Sequence, residues 1–182
     1  MPFVSRAGQK LDHALNAFAI EVGKKTCADL GCSTGGFVDC LLQRGAGKVY
    51  AIDTGYGVLE WKLRNDPRVV VMERTNAMHV ALTEPVDIVT IDVAWTKQRH
   101  ILPAAMKLLK SNGIVISLIK PHYEADPKLL RRGVLPDEQT GSVVKSVEAD
   151  MRAAGFHIAG LTESPIRGSN GNAEMLACLR TP

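Results

Sequence analysis

Two charged residues close separate apolar runs of the sequence and could act on a substrate together. Asp92 follows the run 86–91, and Lys120 follows the run 114–119, about 28 residues later. That spacing is close to one β–α–β unit, which brings the carboxyl ends of its two strands to the same edge of a parallel sheet. A carboxylate beside an ammonium group could take part in proton transfer or orient a nucleophile. The alternative is a structural ion pair that offsets the burial of both charges.

Two further ionisable residues could join this pair. Glu174 lies at the start of the last predicted strand. Because we expect that strand to run antiparallel to the others, its start lies at the edge where the parallel strands end. Lys10 lies beside the apolar stripe of the leading amphipathic segment and could approach the same edge, or it could be a solvated, snorkelling side chain. The candidate catalytic residues are therefore Lys10, Asp92, Lys120 and Glu174.

A glycine-rich loop lies where the first predicted strand turns into a helix. Its glycines, at positions 31, 35 and 36, depart from the G-x-G-x-x-G pattern, and the loop lacks the lysine of a P-loop, so dinucleotides and nucleoside triphosphates are disfavoured. Asp53 closes the next strand, about 22 residues after Gly31, where a carboxylate can accept hydrogen bonds from ribose hydroxyls. Adenosine without a pyrophosphate fits this pattern, and S-adenosylmethionine is such a ligand.

The alternative for this loop is a tight turn beside a solvated strand end. Under the ligand interpretation the candidate cofactor-binding residues are Asp29, Gly31, Ser33, Thr34, Gly35, Gly36, Phe37, Asp53, Thr54, Asn76 and Asp92.

Short apolar runs alternate with amphipathic stretches between residues 26 and 120, a pattern typical of an α/β fold with a parallel sheet. A leading helix over 4–20 should pack on the sheet. After Gly155 two strands follow each other without a helix, so we expect them to form an antiparallel hairpin around the loop 164–172. The predicted strands are 26–30, 48–52, 68–72, 86–91, 114–119, 156–161 and 173–179, and the predicted helices are 36–44, 58–65, 98–110 and 137–154.

Composition restricts the classes of protein that remain. A chain of 182 residues with 46% hydrophobic residues can form one globular domain, which we place at 1–182, and it is neither a disulfide miniprotein nor a disordered tail. Its longest apolar runs are far shorter than the roughly 20 residues of a membrane-spanning helix, and its start lacks the pattern of a signal peptide, so we expect a cytoplasmic protein. The four cysteines form no CxxC pair and no metal-binding cluster, which predicts buried thiols and no metal site.

The net charge of +3 permits a polyanionic partner without requiring one. The stretch 96–110 contains four basic residues and no acidic one, and 128–132 contains three more. They could contact the phosphates of a polyanionic partner, or they could be ordinary solvated faces. Trp95 could stack on a base or belong to the core. The candidate substrate-binding residues are Arg6, Trp95, Lys97, Arg99, Arg131 and Arg132.

Several segments of the sequence, in this order and spacing, resemble the hemolysin A (TlyA) family over nearly the whole chain. They are VSRAGQKL at 4–11, DLGCSTGGF at 29–37, DTGYG at 53–57, LRNDPR at 63–68, RTNA at 74–77, LIKP at 118–121, SP at 164–165 and GNAE at 171–174. This family belongs to the FtsJ-like ribose 2′-O-methyltransferases. The resemblance implies a Rossmann-like class I methyltransferase fold: a mostly parallel seven-stranded sheet with a C-terminal antiparallel hairpin and helices on both faces.

The resemblance also implies S-adenosylmethionine as the cofactor and RNA, above all ribosomal RNA or a ribosomal subunit, as the substrate. In this family a Lys-Asp-Lys-Glu tetrad acts on the ribose, and the matching residues are Lys10, Asp92, Lys120 and Glu174. We expect a monomer with no membrane partner.

The sequence departs from the family in three places. Members usually carry an S4-type RNA-binding domain before the methyltransferase, and we expect this chain to lack it because the first motif begins almost at Met1. VAWTK at 93–97 replaces a Ser-Phe-Ile-Ser type of run, and PHYE at 121–124 replaces Pro-Gln-Phe-Glu. The alternatives are a small-molecule O-methyltransferase and a non-catalytic RNA-binding or hemolysin-like protein.

Overall fold

The computed structural model describes residues 2–182 and contains a single seven-stranded sheet. Its strands are β1 (Thr26–Leu30), β2 (Lys48–Ile52), β3 (Val69–Met72), β4 (Val86–Ile91), β5 (Leu109–Ile119), β6 (His157–Glu163) and β7 (Met175–Arg180). They lie in the order β3-β2-β1-β4-β5-β7-β6, with β1 to β5 parallel and β7 antiparallel to both of its neighbours. The predicted parallel sheet with a C-terminal antiparallel hairpin is confirmed.

Helices cover both faces of this sheet, as predicted. On one face, Leu11, Phe37 and Leu63 pack into a core cluster with the sheet, and on the other face Leu102 and Val147 do so. Covering on both faces explains why the central strands are continuous apolar runs. The helices are α1 (Ala7–Ala17), α2 (Gly36–Gln43), α3 (Trp61–Arg64), α4 (Gln98–Leu108), α5 (Pro121–Glu124) and α6 (Asp137–Ala153).

Several predicted elements differ in extent from those observed. The leading helix, predicted over 4–20, spans Ala7–Ala17, and the helix predicted over 98–110 ends at Leu108. The helix predicted over 58–65 shrinks to α3, because the Glu73 carboxylate accepts hydrogen bonds from the backbone amides of Gly57 and Val58 and holds the preceding residues in a loop. The strand predicted over 114–119 begins earlier, at Leu109, which pairs with Val86 across an irregularity in the register.

Among residues 2–182, no helix is long and apolar enough to cross a membrane. The same residues contain no cluster of three His, Cys, Asp or Glu side chains that could hold a metal ion. All four cysteines are buried and free, which confirms the predicted buried thiols.

Candidate functional site

The ends of β4 and β5 bring Asp92 and Lys120 together. The two strands are parallel neighbours, and each residue follows the last residue of its strand. The Lys120 Nζ lies 2.6 Å from the Asp92 Oδ1, and both side chains are mostly buried. The predicted neighbourhood of these two residues is therefore present as a direct ion pair.

Lys10 and Glu174 form a second ion pair at the same edge. The Lys10 Nζ lies 2.5 Å from the Glu174 Oε2, and both residues are buried. Ile119 pairs with Met175 in the antiparallel strands β5 and β7. One position further along this register, Lys120 lies opposite Glu174. The four residues predicted from widely separated positions thus lie in one group.

His122 is an ionisable neighbour of this group that the sequence analysis noted only as a departure from a family pattern. The pKa of His122 is lowered chiefly by burial, and the positive charges of Lys120 and Lys10 lower it further. Because these effects lower the pKa of His122 below its usual value, the imidazole is mostly neutral at neutral pH. The sequence feature that could have pointed to His122 is its position two residues after Lys120.

A cavity of about 450 Å³, here called the edge cavity, opens beside the Asp92–Lys120 pair. It lies above the ends of β1 and β4, where the strand order reverses, which is the usual ligand position in open α/β sheets. Six of the predicted cofactor residues line it: Gly31, Ser33, Asp53, Thr54, Asn76 and Asp92.

Gly31 and Asp53 show why the edge cavity suits an adenosine ligand. Gly31 has a φ of +88°, and a Cβ atom there would lie 2.6 Å from the backbone oxygen of Asp92, so only glycine keeps this wall open. The Asp53 carboxylate accepts hydrogen bonds from the amides of Ser33 at 2.8 Å and Gly55 at 2.7 Å, which fix it in the wall where it can receive ribose hydroxyls. Apolar side chains of Ile52, Met78 and Ile101 complete a surface for an adenine ring. The residues present therefore fit S-adenosylmethionine.

Asp29 lies outside the lining of this cavity, contrary to its predicted contact with the cofactor. Its side chain is fully buried, where Oδ1 accepts a hydrogen bond from the Thr90 hydroxyl at 2.6 Å and Oδ2 has no partner. Burial raises the pKa of Asp29 to about 8, against the lowering effect of the Thr90 hydrogen bond, and the charges of Asp92 and Asp53 raise it further. Asp29 is therefore mostly protonated at neutral pH.

The other predicted cofactor residues of the loop also lie outside the cavity lining. Gly35 adopts a φ of +102° at the start of α2, with Leu59 and Leu63 packed against it. Gly36 faces α1 so closely that a Cβ would meet the backbone of Gly8, and Phe37 belongs to the core. Thr34 accepts a hydrogen bond from the Glu60 amide through its carbonyl oxygen. The contacts of these four residues, Thr34, Gly35, Gly36 and Phe37, are therefore with the protein interior and neighbouring elements.

A second cavity, of about 410 Å³, lies on the other side of Trp95 and is here called the aromatic cavity. Trp95 lines both cavities, is 81% exposed, and has its ring centroid 4.9 Å from that of Tyr123. The alternative that Trp95 belongs to the core is therefore wrong. His122 and Leu130 also line this cavity, and His122 lies two residues after Lys120 in the chain.

Of the predicted substrate-binding cations, Lys97 belongs to the lining of the aromatic cavity and the four arginines lie outside it. Lys97 lines it and donates to the carbonyl oxygen of Glu124 at 2.9 Å. Arg131 and Arg132 are exposed and lie in sequence between its lining residues Leu130 and Gly133, and Arg6 donates to the carbonyl oxygen of Arg167. Arg99 is exposed near the start of α4. Lys110 lies apart from this group, because it pairs with Asp87 at the opposite end of the sheet.

Comparisons with known proteins agree on one family. The FtsJ-like methyltransferase family matches residues 3–181. The chain is 43% identical to the 16S/23S rRNA (cytidine-2′-O)-methyltransferase TlyA of Mycobacterium tuberculosis, over 98% of this chain and 69% of that protein. It is 39% identical to Hemolysin A of Brachyspira hyodysenteriae, over 96% of this chain and 75% of that protein. The chain spans about two thirds of the length of the curated relatives that it matches.

Solved structures give the same picture of the fold. A hemolysin-type structure from Streptococcus thermophilus is 39% identical, with a TM-score of 0.96 over 100% of this chain and 68% of that one. The N-methyltransferase NodS from Bradyrhizobium japonicum, solved with S-adenosylhomocysteine, is 14% identical with a TM-score of 0.65, over 96% of this chain and 87% of that one. The second likeness shows the class I methyltransferase fold alone.

Proposed function

The chain belongs to the FtsJ-like methyltransferase family, and from this premise we propose that it transfers a methyl group from S-adenosylmethionine to a ribose 2′-hydroxyl of ribosomal RNA. One observation carries the proposal: the Lys120–Asp92 pair lines the edge cavity, and the Lys10–Glu174 pair adjoins it because Glu174 lies opposite Lys120. Trp95 lines both the edge cavity and the aromatic cavity. A cofactor and a nucleotide could therefore approach the same charged group from two sides.

The cofactor would occupy the edge cavity. Asp53 would receive its ribose hydroxyls, the open backbone at Gly31 and Ser33 would admit its amino acid end, and Asn76 would lie beside its adenine. When bound, S-adenosylmethionine supplies a methyl group on a positively charged sulfur. The chain then has to hold a hydroxyl in line with that group and deal with its proton.

Within the tetrad, Lys120 would lie nearest the attacking oxygen, either as a proton acceptor or as a cation that stabilises the developing alkoxide. Asp92, at 2.6 Å, would hold the Lys120 ammonium in place. Glu174 would position Lys10, which would help to hold the hydroxyl.

The aromatic cavity favours a nucleotide over a small isolated acceptor. The exposed Trp95 and the neighbouring Tyr123 offer ring faces on which a nucleobase can stack. Lys97 in the lining of this cavity and exposed arginines outside it could bind the RNA backbone, since phosphate contacts supply most of the affinity of such complexes. The proposed backbone contacts are Arg6, Lys97, Arg99, Arg131 and Arg132.

We also propose that the described residues act as one methyltransferase domain, as a monomer, and in the cytoplasm, where ribosomal RNA is found. The two large core clusters pack on the same sheet, which supports a single folding unit.

Transfer of a tritiated methyl group tests the proposal directly. The acceptors are naked 16S and 23S rRNA, both ribosomal subunits and a catechol, and the labelled nucleotide is then mapped. We expect label on RNA as a 2′-O-methyl nucleotide, with an activity that falls as salt rises. Salt-insensitive label on the catechol would instead indicate a small-molecule methyltransferase. Cofactor binding without transfer to any RNA would indicate a non-catalytic protein.

A further inference from the structure

A second group of aromatic residues is exposed on the far side of the edge cavity. Tyr56 is 71% exposed and Trp61 is 72% exposed, and Val58 between them is also exposed. Most large apolar side chains of the described residues are buried. Three exposed ones within six positions are therefore unusual. We call the surface formed by Tyr56, Val58, Trp61 and Arg74 the Tyr56 platform.

The backbone beneath this platform is held in place. The Glu73 carboxylate accepts hydrogen bonds from the amides of Gly57 at 2.9 Å and Val58 at 3.1 Å, and it pairs with Arg64 at 2.5 Å. Leu59 and Leu63 anchor the same segment in the core. Rings displayed by an ordered backbone lose little conformational entropy when a partner binds, so the platform is organised for recognition.

Arg74 adds a positive charge to the platform. Its guanidinium lies 4.2 Å from the centroid of the Tyr56 ring, and its amide donates to the carbonyl oxygen of Gly55 at 3.0 Å. Within residues 2–182, Arg74 forms no ion pair with a carboxylate, so its charge is available to an anionic partner.

The platform and the tetrad lie along the same edge of the sheet. Tyr56 follows the end of β2, and Lys120 follows the end of β5. Three strand spacings separate these ends in the order β2-β1-β4-β5, which is about 14 Å. The edge cavity lies between them, so one extended ligand could contact the tetrad and the platform together.

We propose that the Tyr56 platform binds a single-stranded segment of RNA adjoining the methylated nucleotide, with bases stacked on Tyr56 and Trp61 and a phosphate on Arg74. This inference rests on the proposed function and extends it to a second contact region. Stacking on exposed rings beside a cation is the usual way in which proteins bind single strands without reading their sequence.

RNA fits the platform better than a protein partner does. A protein interface of ordinary size needs a broad apolar centre, whereas here the Arg74 guanidinium covers the Tyr56 ring. The cations proposed to bind the RNA backbone would continue the path of the RNA from the platform toward the tetrad.

Substitutions of the full chain test the platform through RNA affinity. We expect Tyr56→Ala and Trp61→Ala each to weaken binding of naked rRNA by about tenfold and to raise KM for RNA similarly, with kcat and cofactor affinity unchanged. Tyr56→Phe and Trp61→Phe should retain most of the affinity, because a ring remains. Lys145→Ala, which removes an exposed cation from α6, is the matched surface control. Wild-type affinity in both alanine variants would overturn the proposal.

Tryptophan fluorescence supplies a readout that needs neither cofactor nor catalysis. The chain has two tryptophans, so Trp95→Phe leaves Trp61 as the single fluorophore. We expect a single-stranded oligouridine to quench Trp61 and to shield it from acrylamide. Unchanged Trp61 emission with bound RNA would overturn the proposal. It would also be overturned if the alanine variants lost affinity only for intact ribosomal subunits, because that result would identify a ribosomal protein as the partner.

The two proposals fail in different ways. Quenching of Trp61 by RNA in a protein that methylates no RNA would refute the proposed function and leave the platform standing. Methylation of rRNA that is unaffected by both alanine variants would refute the platform alone.

Discussion

The tetrad consists of two carboxylate–ammonium pairs at distances of 2.5 and 2.6 Å, both largely withdrawn from water. Buried ion pairs contribute little net stability, because the cost of desolvating both charges offsets their attraction. Two such pairs at the edge of a ligand cavity are therefore better explained by chemistry than by folding. Each carboxylate fixes one ammonium, and the neutral His122 beside them adds no further charge.

Lys120→Ala should remove activity while leaving the cofactor bound. The loss of a group proposed to act on the attacking hydroxyl should lower kcat by about 10²- to 10⁴-fold, whereas Asp53 and Gly31, the proposed adenosine contacts, are unchanged. Single-turnover methyl transfer and calorimetric titration with S-adenosylmethionine measure the two effects. Lys110→Ala is the matched control, since it breaks the Lys110–Asp87 pair at the opposite end of the sheet. A Lys120→Ala enzyme with near-normal turnover would remove Lys120 from the mechanism.

Gly168→Ala should disturb the tetrad without touching any of its members. A Cβ atom at this position would overlap the Glu174 carboxylate, so Glu174 has to move away from Lys10. We expect kcat to fall by at least tenfold with the KM for cofactor nearly constant. Gly141→Ala serves as control, because nothing lies within 4 Å of a Cβ there. Equal kinetics in both variants would show that the Lys10–Glu174 contact is not needed.

Among the elements, the loop after β2 is the one that joins the two parts of the proposed surface. Asp53 begins it and faces the edge cavity, and Tyr56 extends from its outer side. Glu73, just after β3, ties the loop to its neighbour. Its pKa falls to about 2, first through the hydrogen bond from the Gly57 amide and also through Arg64, so the carboxylate stays ionised at all working pH values.

Glu73→Gln should loosen this loop and weaken cofactor binding. The amide keeps one acceptor oxygen but loses the charge that holds Arg64 and strengthens the backbone hydrogen bonds. We expect the Kd for S-adenosylmethionine to rise several-fold and tryptic cleavage at Lys62 to become faster. Glu60→Gln is the control, because this exposed side chain only accepts from the adjacent Trp61 amide. Unaltered cleavage and affinity would show that the loop is held by its apolar anchors alone.

At the scale of the whole molecule, the site lies at one edge of a sheet that is buried on both faces, and this burial has an electrostatic consequence. Asp29 lies inside β1, and burial raises the pKa of its carboxyl to about 8 from the usual value near 4. The carboxyl is therefore mostly neutral in the folded protein at neutral pH. The folded state therefore binds a proton that the unfolded chain releases above pH 4. Stability from this group is complete below pH 4 and is lost as the pH rises toward 8.

Asp29→Asn should remove this pH dependence. Between pH 5 and pH 8 the folded state keeps a proton that the unfolded chain has released. Over these three pH units the free energy of unfolding of the wild type should therefore fall by about 4 kcal/mol because of Asp29. The neutral amide of the variant cannot titrate, although it can still accept the Thr90 hydrogen bond. His122, whose pKa is lowered, acts in the opposite direction in both proteins, so the difference between their urea unfolding curves isolates Asp29. Parallel pH profiles would show that Asp29 is ionised in the folded state.

Local pattern alone was enough to predict most of the framework. The strands at 26–30, 48–52 and 86–91 were predicted with their observed bounds, because residues buried on both faces of a parallel sheet must form continuous apolar runs. Asp53, Asp92 and Lys120 could be found for the same reason, since a polar residue that closes such a run lies at the ligand edge of the sheet. The direct neighbourhood of Asp92 and Lys120 also follows from one β–α–β unit.

Contacts between distant segments were decided only by the tertiary structure. Lys10 meets Glu174 across 164 positions, and this depends on the angle at which α1 packs over β7, which no local periodicity encodes. The burial of Asp29 beneath the loop and the pairing of Lys110 away from the site likewise depend on which neighbours surround each side chain. Sequence periodicity reports whether a residue faces inward or outward, whereas the partner it meets there is set by the packing of elements far apart in the chain.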